Sequence, residues 1–297
     1  MRFSIIIPTY NRVALLQQTL ASIPVEDDRV HEVIVIDDGS SDGTVEYLRT
    51  QRPKLRLICQ ENSGPGAARN RGIEAATGDW IAFLDSDDIW LPWTLDHYEN
   101  AIAATDAKLL FGKPSRFRAA DEIEMLIANG AAEPKWDTYE DYLAAGHEWR
   151  WWGASSFAVR RDLIGSARFS SEPINGEDAD WVMKLGHGLR LVQLTTAPTF
   201  GYREHDGSVM KNLDKTVSGA WNLARSETAG IYPGGRGRRN ARRRILGRHL
   251  RPVILELLRS DRADEGWSLF LATLSWHFQG GRLRFILAVL GLRLKNL

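Results

Sequence analysis

The chain has 297 residues, 43% hydrophobic and 26% charged, and its basic and acidic side chains balance at 38 each. This is the composition of an ordinary soluble globular protein, long enough for one large domain or one domain with an appendage. No run approaches the roughly 20 apolar residues that cross a bilayer, and a lone cysteine, Cys59, excludes an internal disulfide.

Strand and helix signals alternate from the start. The opening apolar run stops at Pro8, too short for a signal peptide, and reads as a strand over Phe3–Ile7. A helix is predicted over Arg12–Ser22, a strand over Glu32–Asp37, a helix over Asp42–Thr50 and a strand over Leu55–Cys59. Cys59 lies on that last apolar run, where it is expected to fill core space; a reducing, cytosolic compartment fits. Gly66–Ala76 and Pro92–Ala104 read as further helices, Trp80–Leu84 and Lys108–Phe111 as further strands. Short loops between alternating elements imply right-handed crossovers and an α/β fold with a mostly parallel sheet flanked by helices. Residues 112–150 are less regular. Alternation resumes with a strand at Ser155–Arg160, a helix at Asp178–Leu185 and strands at Arg190–Leu194 and Pro198–Arg203. Gly230–Gly237 reads as a linker, and three helices follow over 238–259, 263–279 and 282–294. The expected organisation is an α/β domain over 1–230, with halves 1–110 and 111–230, and a basic helical region over 236–297.

The run Asp85-Ser86-Asp87-Asp88 follows directly on the buried-strand pattern Trp80–Leu84. Open α/β sheets bind ligands at the carboxyl ends of their strands. Carboxylates this close repel one another unless a cation lies between them, and a hard divalent ion with oxygen ligands can also bridge to a diphosphate. Taken alone, the run fits two readings equally: such a metal site, or a solvated acidic turn capping the helix near Pro92. Three more polar loops fall at strand ends on the same edge, namely Pro8-Thr9-Tyr10-Asn11-Arg12, Asp37-Asp38-Gly39-Ser40-Ser41-Asp42, and the stretch from Asn62 to Asn70. Each alone is usually a turn; four on one edge are hard to explain as independent turns.

The series Pro-Thr-Tyr-Asn-Arg, Asp-Asp-Gly-Ser, Gly-x-x-x-Ala-Arg-Asn-x-Gly and Leu-Asp-Ser-Asp-Asp, in this order, resembles the nucleotide-sugar half of a family 2 glycosyltransferase of the GT-A fold. The resemblance runs from Phe3 to about Trp90, and more weakly to about Ser208. It implies a Rossmann-like sheet and an inverting, metal-dependent transfer of sugar from a nucleotide diphosphate. Thr9 and Asp38 would hydrogen-bond the donor base, commonly uracil, whose imide N–H an aspartate can accept. Pro8, Tyr10, Gly64 and Arg69 join the donor-binding set through the matched motifs. Asp88 would be the main ligand of Mg2+ or Mn2+, Asp87 would touch ribose or metal, and Asp85 would be the structural member of the run.

Farther on, Asn175-Gly176-Glu177-Asp178-Ala179-Asp180-Trp181 resembles the family's acidic pair at a helix start below the acceptor pocket. Inverting transfer needs a base for the acceptor hydroxyl proton, and a helix N-terminus favours a charged carboxylate. Asp178 is the expected base, Glu177 its rival and Asp180 a distant third; acids in a first helical turn are also ordinary caps. Tyr202-Arg203-Glu204-His205 resembles a loop that folds over the diphosphate. There Arg203 would offset phosphate charge, and His205 would either complete the metal shell or, as an isolated histidine, only pack. Of the Trp149, Trp151 and Trp152 group, Trp152 is the expected sugar platform, and Trp181 beside the base is another. Processive synthases carry a Gln-x-x-Arg-Trp run that is missing here, so transfer of one sugar is expected.

Residues 236–297 carry 14 Lys/Arg and 4 Asp/Glu, against 24 and 34 in the remainder. Apolar residues there recur at helical spacing in three stripes: one from Ile245 to Leu258, one from Trp267 to Phe278, and one through Phe285, Ile286, Val289, Leu290 and Leu294. Pro252 is expected to bend the first helix. Basic amphipathic stripes either pack on one another and on the α/β domain or lie in an anionic membrane surface. No recognisable nucleic-acid module accompanies the arginines, so no nucleic-acid partner is expected. Nothing in the pattern specifies an oligomer.

The expected activity is transfer of a sugar, from UDP by preference, to a hydroxyl of a glycan or lipid-linked acceptor in envelope polysaccharide or glycolipid synthesis. The expected location is cytoplasmic, or peripheral on the cytoplasmic face of the membrane. A nucleotidyltransferase on a related sheet is one rival, and it lacks a Gly-rich, Lys-containing triphosphate loop near the first strand. A degenerate family member serving as a membrane-associated scaffold is the other, and the full set of acids disfavours it.

Overall fold

A computed structural model describes residues 1–50, 55–145, 153–204 and 212–295. In chain order the elements begin with β1 (Phe3–Thr9), α1 (Val13–Ala21), β2 (Val30–Asp37), α2 (Thr44–Arg49), β3 (Leu55–Cys59), α3 (Gly64–Ala75), β4 (Trp80–Phe83), β5 (Ile89–Trp90) and α4 (Thr94–Thr105). They continue with β6 (Leu109–Phe111), β7 (Pro114–Phe117), α5 (Ala120–Ala128), β8 (Trp136–Tyr139), α6 (Tyr142–Ala145), β9 (Phe157–Arg160), α7 (Glu177–Leu185), β10 (Leu191–Leu194) and β11 (Phe200–Arg203). Four helices complete the chain: α8 (Leu213–Thr228), α9 (Arg239–Leu258), α10 (Ala263–Gln279) and α11 (Leu283–Lys295). They fall into two compact units, one of Met1–Glu140, Trp149–Pro173 and Gly188–Ser208, the other of Asp141–Glu148, Ile174–His187 and Val209–Leu297.

The first unit is built on an eight-stranded sheet in the order β3-β2-β1-β4-β9-β6-β10-β8. β1 is buried along its whole length, as its unbroken Ile5-Ile6-Ile7 requires of a central strand covered on both faces. It pairs parallel with β2, Ile5 beside Val33, and parallel with β4, Ile5 beside Ala82. One face buries Phe3, Ile5 and Ile7 with Leu16, Val33, Val35, Trp80 and Tyr98. On the other face α3 comes so close that a Cβ on Gly72 would lie 2.3 Å from Ile6 Cγ2. Only glycine permits that approach.

The parallel order expected of alternating elements holds from β3 to β4. Beyond β4 the sheet is mixed. β9 runs antiparallel to both β4 and β6, and β8 antiparallel to β10, while β6 and β10 are parallel. A smaller sheet, β5-β11-β7, lies apart. The stretch that looked irregular, 112–150, supplies β7, α5, β8 and α6. Cys59 does not fill core space; it is exposed. β3 is the edge strand, where Leu55 and Leu57 pack half-buried against the core.

In the second unit the apolar stripe of α9 is buried, with Ile245, Leu246, Leu250, Ile254 and Leu257 fully inaccessible. α10 contributes Leu269, Phe270 and Thr273 to the same interior. The helix continues through Pro252, whose missing N–H leaves one carbonyl without its usual helical donor. The glycine-rich stretch is tied in place rather than left as a free linker. Tyr232 is buried, and the Arg242 guanidinium, paired with Glu227 at 2.6 Å, donates to the carbonyls of Pro233 and Gly235 at 2.9 Å each. No described helix is long and apolar enough to cross a membrane.

Candidate active site

In the first unit, four loops meet at the carboxyl edge of β1 to β4, laced by hydrogen bonds. The Asp38 N–H donates to the Thr9 carbonyl at 2.9 Å, and the Gln60 N–H to the Asp37 carbonyl at 2.9 Å. Asn11 adopts φ +49°, a left-handed conformation that asparagine tolerates better than most residues. From there its Oδ1 accepts the Ser41 N–H at 2.7 Å, while its own N–H donates to Ser40 Oγ at 2.8 Å. Asp42 accepts the N–H of Val13 at 3.0 Å and of Thr44 at 3.1 Å, so one carboxylate holds the first turns of α1 and α2. Partial desolvation pushes its pKa up, but a bond from the Thr44 hydroxyl together with these two holds it below the usual range.

The Asp38 carboxylate is buried and occupied by the next loop. It accepts from Gln60 Nε2 at 2.7 Å, the Ser63 N–H at 2.8 Å and the Gly64 N–H at 2.8 Å. Gly64 has φ +88° at the first position of α3, and no side chain is accommodated there without strain. Pro8 and Thr9 are buried at the end of β1, and Tyr10 beyond them is exposed. The Thr9 Oγ1 is buried without a hydrogen-bond partner among the described residues. Farther along α3, Asn70 clasps Phe169 through both backbone groups, its Nδ2 donating to the carbonyl at 3.0 Å and its Oδ1 accepting the N–H at 2.9 Å.

The acidic run is matched by three arginines. Arg69 is buried, reaches Asp85 at 2.7 Å and lies over the Phe169 ring. Arg12 meets Asp87 at 2.5 Å. Arg203, at the end of β11, donates its N–H to Asp88 Oδ1 at 3.1 Å and its Nε–H to the Asp87 carbonyl at 3.0 Å. Its Nη2 is bound to Gln18 at 2.7 Å and its guanidinium sits over Phe117. Asp88 is the innermost acid, 1% exposed. Burial, and then the charges of Asp85 and Asp87, push its pKa well above the usual carboxylate range. Its Oδ2 is buried with no hydrogen-bond partner among the described residues. That orphaned hard oxygen beside a second acid is the donor chemistry that suits Mg2+ or Mn2+. Among the described residues no three His, Cys, Asp or Glu side chains form a metal-holding group, and His205 lies outside those residues.

In the second unit, Gly176 with φ +90° precedes α7, whose first turn carries Glu177, Asp178 and Asp180. Asp180 is structural: its Oδ1 accepts the Tyr232 hydroxyl at 2.8 Å and its Oδ2 meets Lys184 at 2.6 Å. Glu177 is buried, and Asp178 is the half-buried acid of the three. Asn175, just upstream, is fixed to the start of α8 through Thr216 Oγ1 at 2.9 Å and the Lys215 carbonyl at 3.0 Å.

Trp181 is not a sugar platform. It is wholly inaccessible, because α7 is buried almost all round and Trp181 lies with Ala179, Val182 and Met183 in the interior. Trp152 lies outside the described residues. The motifs bring out Asp85, Asp87 and Asp88, and Arg69 and Arg203 as donor contacts, but not the pairing of these arginines with the acids. Arg12 stood in a quoted motif without a role. Ser155, whose Oγ accepts the Asp85 N–H at 2.9 Å, is distant in sequence and carried no local signal.

Residues 4–134 match the model of glycosyl transferase family 2. YibD of Escherichia coli K12, an uncharacterized glycosyltransferase, is 42% identical over 224 residues, 71% of this chain and 63% of YibD. WfaP of Escherichia coli, a UDP-Glc:alpha-D-GlcNAc-diphosphoundecaprenol beta-1,3-glucosyltransferase, is 29% identical over 227 residues, 75% of this chain and 85% of WfaP. The chain spans 55% to 64% of the length of the first three curated relatives it matches. Among solved structures, S. aureus TarS 1–349 in complex with UDP-GlcNAc aligns with a TM-score of 0.67 at 19% identity, covering 94% of this chain and 81% of that one. Such a likeness shows the fold: a GT-A-like sheet flanked by helices, with a C-terminal helical region.

Proposed function

Because this chain belongs to glycosyl transferase family 2, we propose that it moves one sugar from a nucleotide-diphosphate donor to a hydroxyl of a lipid-linked glycan. The observation that carries this reading is Asp88, a buried carboxylate with an unpartnered oxygen at the edge where four loops meet. In this reading residues 1–110 serve the donor and residues 111–230 the acceptor. Asp88 and Asp87 would hold Mg2+ or Mn2+, with His205 as a further ligand. When bound, the ion neutralises the charge that grows on the diphosphate as the glycosidic bond breaks.

The chain's own residues do the rest. Thr9 and Asp38 contact the base, Pro8, Tyr10 and Gly64 line the donor loop, and Arg69 and Arg203 hold the acidic run in shape. Asp178 takes the proton of the acceptor hydroxyl as its oxygen attacks the anomeric carbon. One displacement from the face opposite the leaving group inverts that carbon. Donor preference for UDP is supported by the TarS complex with UDP-GlcNAc and by the UDP-Glc donor in the description of WfaP. The diphosphoundecaprenol acceptor named for WfaP supports a lipid-linked glycan.

Transfer from a panel of UDP-sugars to a GlcNAc-diphospholipid tests the reading. Asp178→Asn should lower turnover by at least about a hundredfold, the scale of general-base catalysis, and leave UDP affinity within a factor of about two. Wild-type turnover in Asp178→Asn would remove the base assignment, and loss confined to Glu177→Gln would transfer it to Glu177.

A further inference from the structure

The third helical stripe of the C-terminal region has two apolar faces, and only one is covered. Within α11, Ile286 and Val289 are buried and Phe285 packs on Phe270 and His277, at 6.1 and 4.6 Å between ring centres. The outward face carries Leu283, Leu287, Leu290 and Leu294, exposed by 60%, 67%, 40% and 72%. Their spacing places all four within an arc of about 60° around the helix. Leu271 and Phe278, one face of α10, are half exposed as well. Arg293 of α11 lies over the ring of Trp267, which shares that face of α10, so the two apolar faces run side by side. Scattered exposed leucines need no explanation, but a contiguous stripe of six large apolar side chains on two adjacent helices marks an interaction surface.

Charge identifies the occupant. Residues 282–297 hold three arginines, one lysine and no acid. Arg284 is exposed on one flank of the leucine face and Arg282 lies on the other. Arg293 is already paired with the exposed Asp264 of α10 at 2.6 Å, so a second copy of the chain would bring Arg282 and Arg284 against their own kind, with no acid in the segment to pair them. An anionic lipid surface offers both an apolar layer for the leucines and negative headgroups for the flanking arginines. At 13 residues α11 is about 20 Å long, too short to span a bilayer and suited to lie along one.

We propose that the Leu283-Leu287-Leu290-Leu294 face of α11, with Leu271 and Phe278 of α10, docks on an anionic membrane surface through insertion of the leucines and pairing of Arg282 and Arg284 with lipid phosphates. The surface differs from the stripe of α9, which is buried and cannot reach a lipid. Docking does not depend on the identity of the donor.

Sedimentation of the full chain with vesicles tests this. Vesicles of phosphatidylcholine with about one third phosphatidylglycerol should carry the protein down, and vesicles of phosphatidylcholine alone should bind it at least about tenfold less. The double variant Leu287→Glu with Leu294→Glu should lose binding to the anionic vesicles by at least about tenfold. Its melting midpoint should match the parent, since both positions are exposed. Should that variant fold poorly, Arg284→Glu reads the same surface through charge, and its binding should fall and its salt dependence weaken. Absence of binding to anionic vesicles, equal binding by the well-folded variants, or a wild-type dimer in ultracentrifugation that Leu287→Glu converts to monomer would each overturn the proposal.

Discussion

Replacing Asp38 with alanine tests whether this carboxylate braces the edge where the loops meet. It accepts three hydrogen bonds, from Gln60 Nε2, the Ser63 N–H and the Gly64 N–H, at 2.7 to 2.8 Å. A bond to a charged group contributes about 1.5–3 kcal/mol when its partner is left dry. Here Ser63 is exposed and Gly64 half-buried, so water can meet both donors once the carboxylate is gone. The contribution therefore falls below that range, to about 1 kcal/mol for each bond and about 3 kcal/mol in all. For a folding unit of this size that is a fall of roughly 6–12 °C in melting midpoint. Asp38→Asn keeps the shape but turns an amide N–H2 toward groups that are themselves donors, so it should recover less than half of the loss. Calorimetry of the three proteins with and without UDP separates bracing from base contact. An unchanged midpoint in Asp38→Ala, with UDP binding abolished, would make Asp38 a ligand contact alone and refute the bracing argument.

Two further outcomes follow from burial. Trp181→Ala should cost about 3–5 kcal/mol of stability through the cavity it leaves and should leave the acceptor KM of the remaining folded enzyme unchanged; a raised KM with unaltered stability would restore Trp181 to the acceptor site. His277 is held at about 4 by burial and by the charges of Arg251 and Arg282, below the ordinary value near 6.5. Because its imidazole takes a proton more readily when unfolded, its contribution is fully present above about pH 6.5 and is lost as pH falls toward 4. At about 1.4 kcal/mol per pH unit the loss reaches about 3 kcal/mol, and His277→Gln should flatten the fall of melting midpoint over that window. His249, lowered likewise by burial, should contribute separately, so a double substitution should flatten it further; an unaltered pH profile in both would contradict the reasoning.

The half of the chain most legible in sequence is the one whose contacts are local or strictly periodic. β1 to β4 were readable because Ile5-Ile6-Ile7 and Val33–Ile36 are unbroken apolar runs, and the loops after them carry motifs whose residues bond to the neighbouring loop. Asn70 and Gly72 could be noticed as a motif, but not what they do: one clasps Phe169, nearly a hundred residues on, and the other admits Ile6. The mixed half of the sheet is legible only in part. β6, β9 and β10 fall on apolar runs that read as strands, whereas β7 and β8, four residues each, are too short for periodicity to register, and the antiparallel entry of β9 between β4 and β6 rests on long-range pairing alone. Trp181 misled because its place beside Asp178 suggested a common role. α7 is buried on nearly every side, and proximity in sequence says nothing of which side a ring takes. The C-terminal stripes were legible as amphipathic helices. Which of their faces would be covered depended on tertiary packing, which buried α9 and left one side of α11 open.

The central claim is that Asp88 serves a cation that binds a nucleotide diphosphate, and calorimetric titration of UDP into the full chain, with Mn2+ and with chelator, tests it most directly. Binding should require the ion in the parent protein and vanish in a folded Asp88→Ala variant. Equal UDP affinity with chelator, or unchanged Mn2+-dependent affinity in Asp88→Ala, would contradict it.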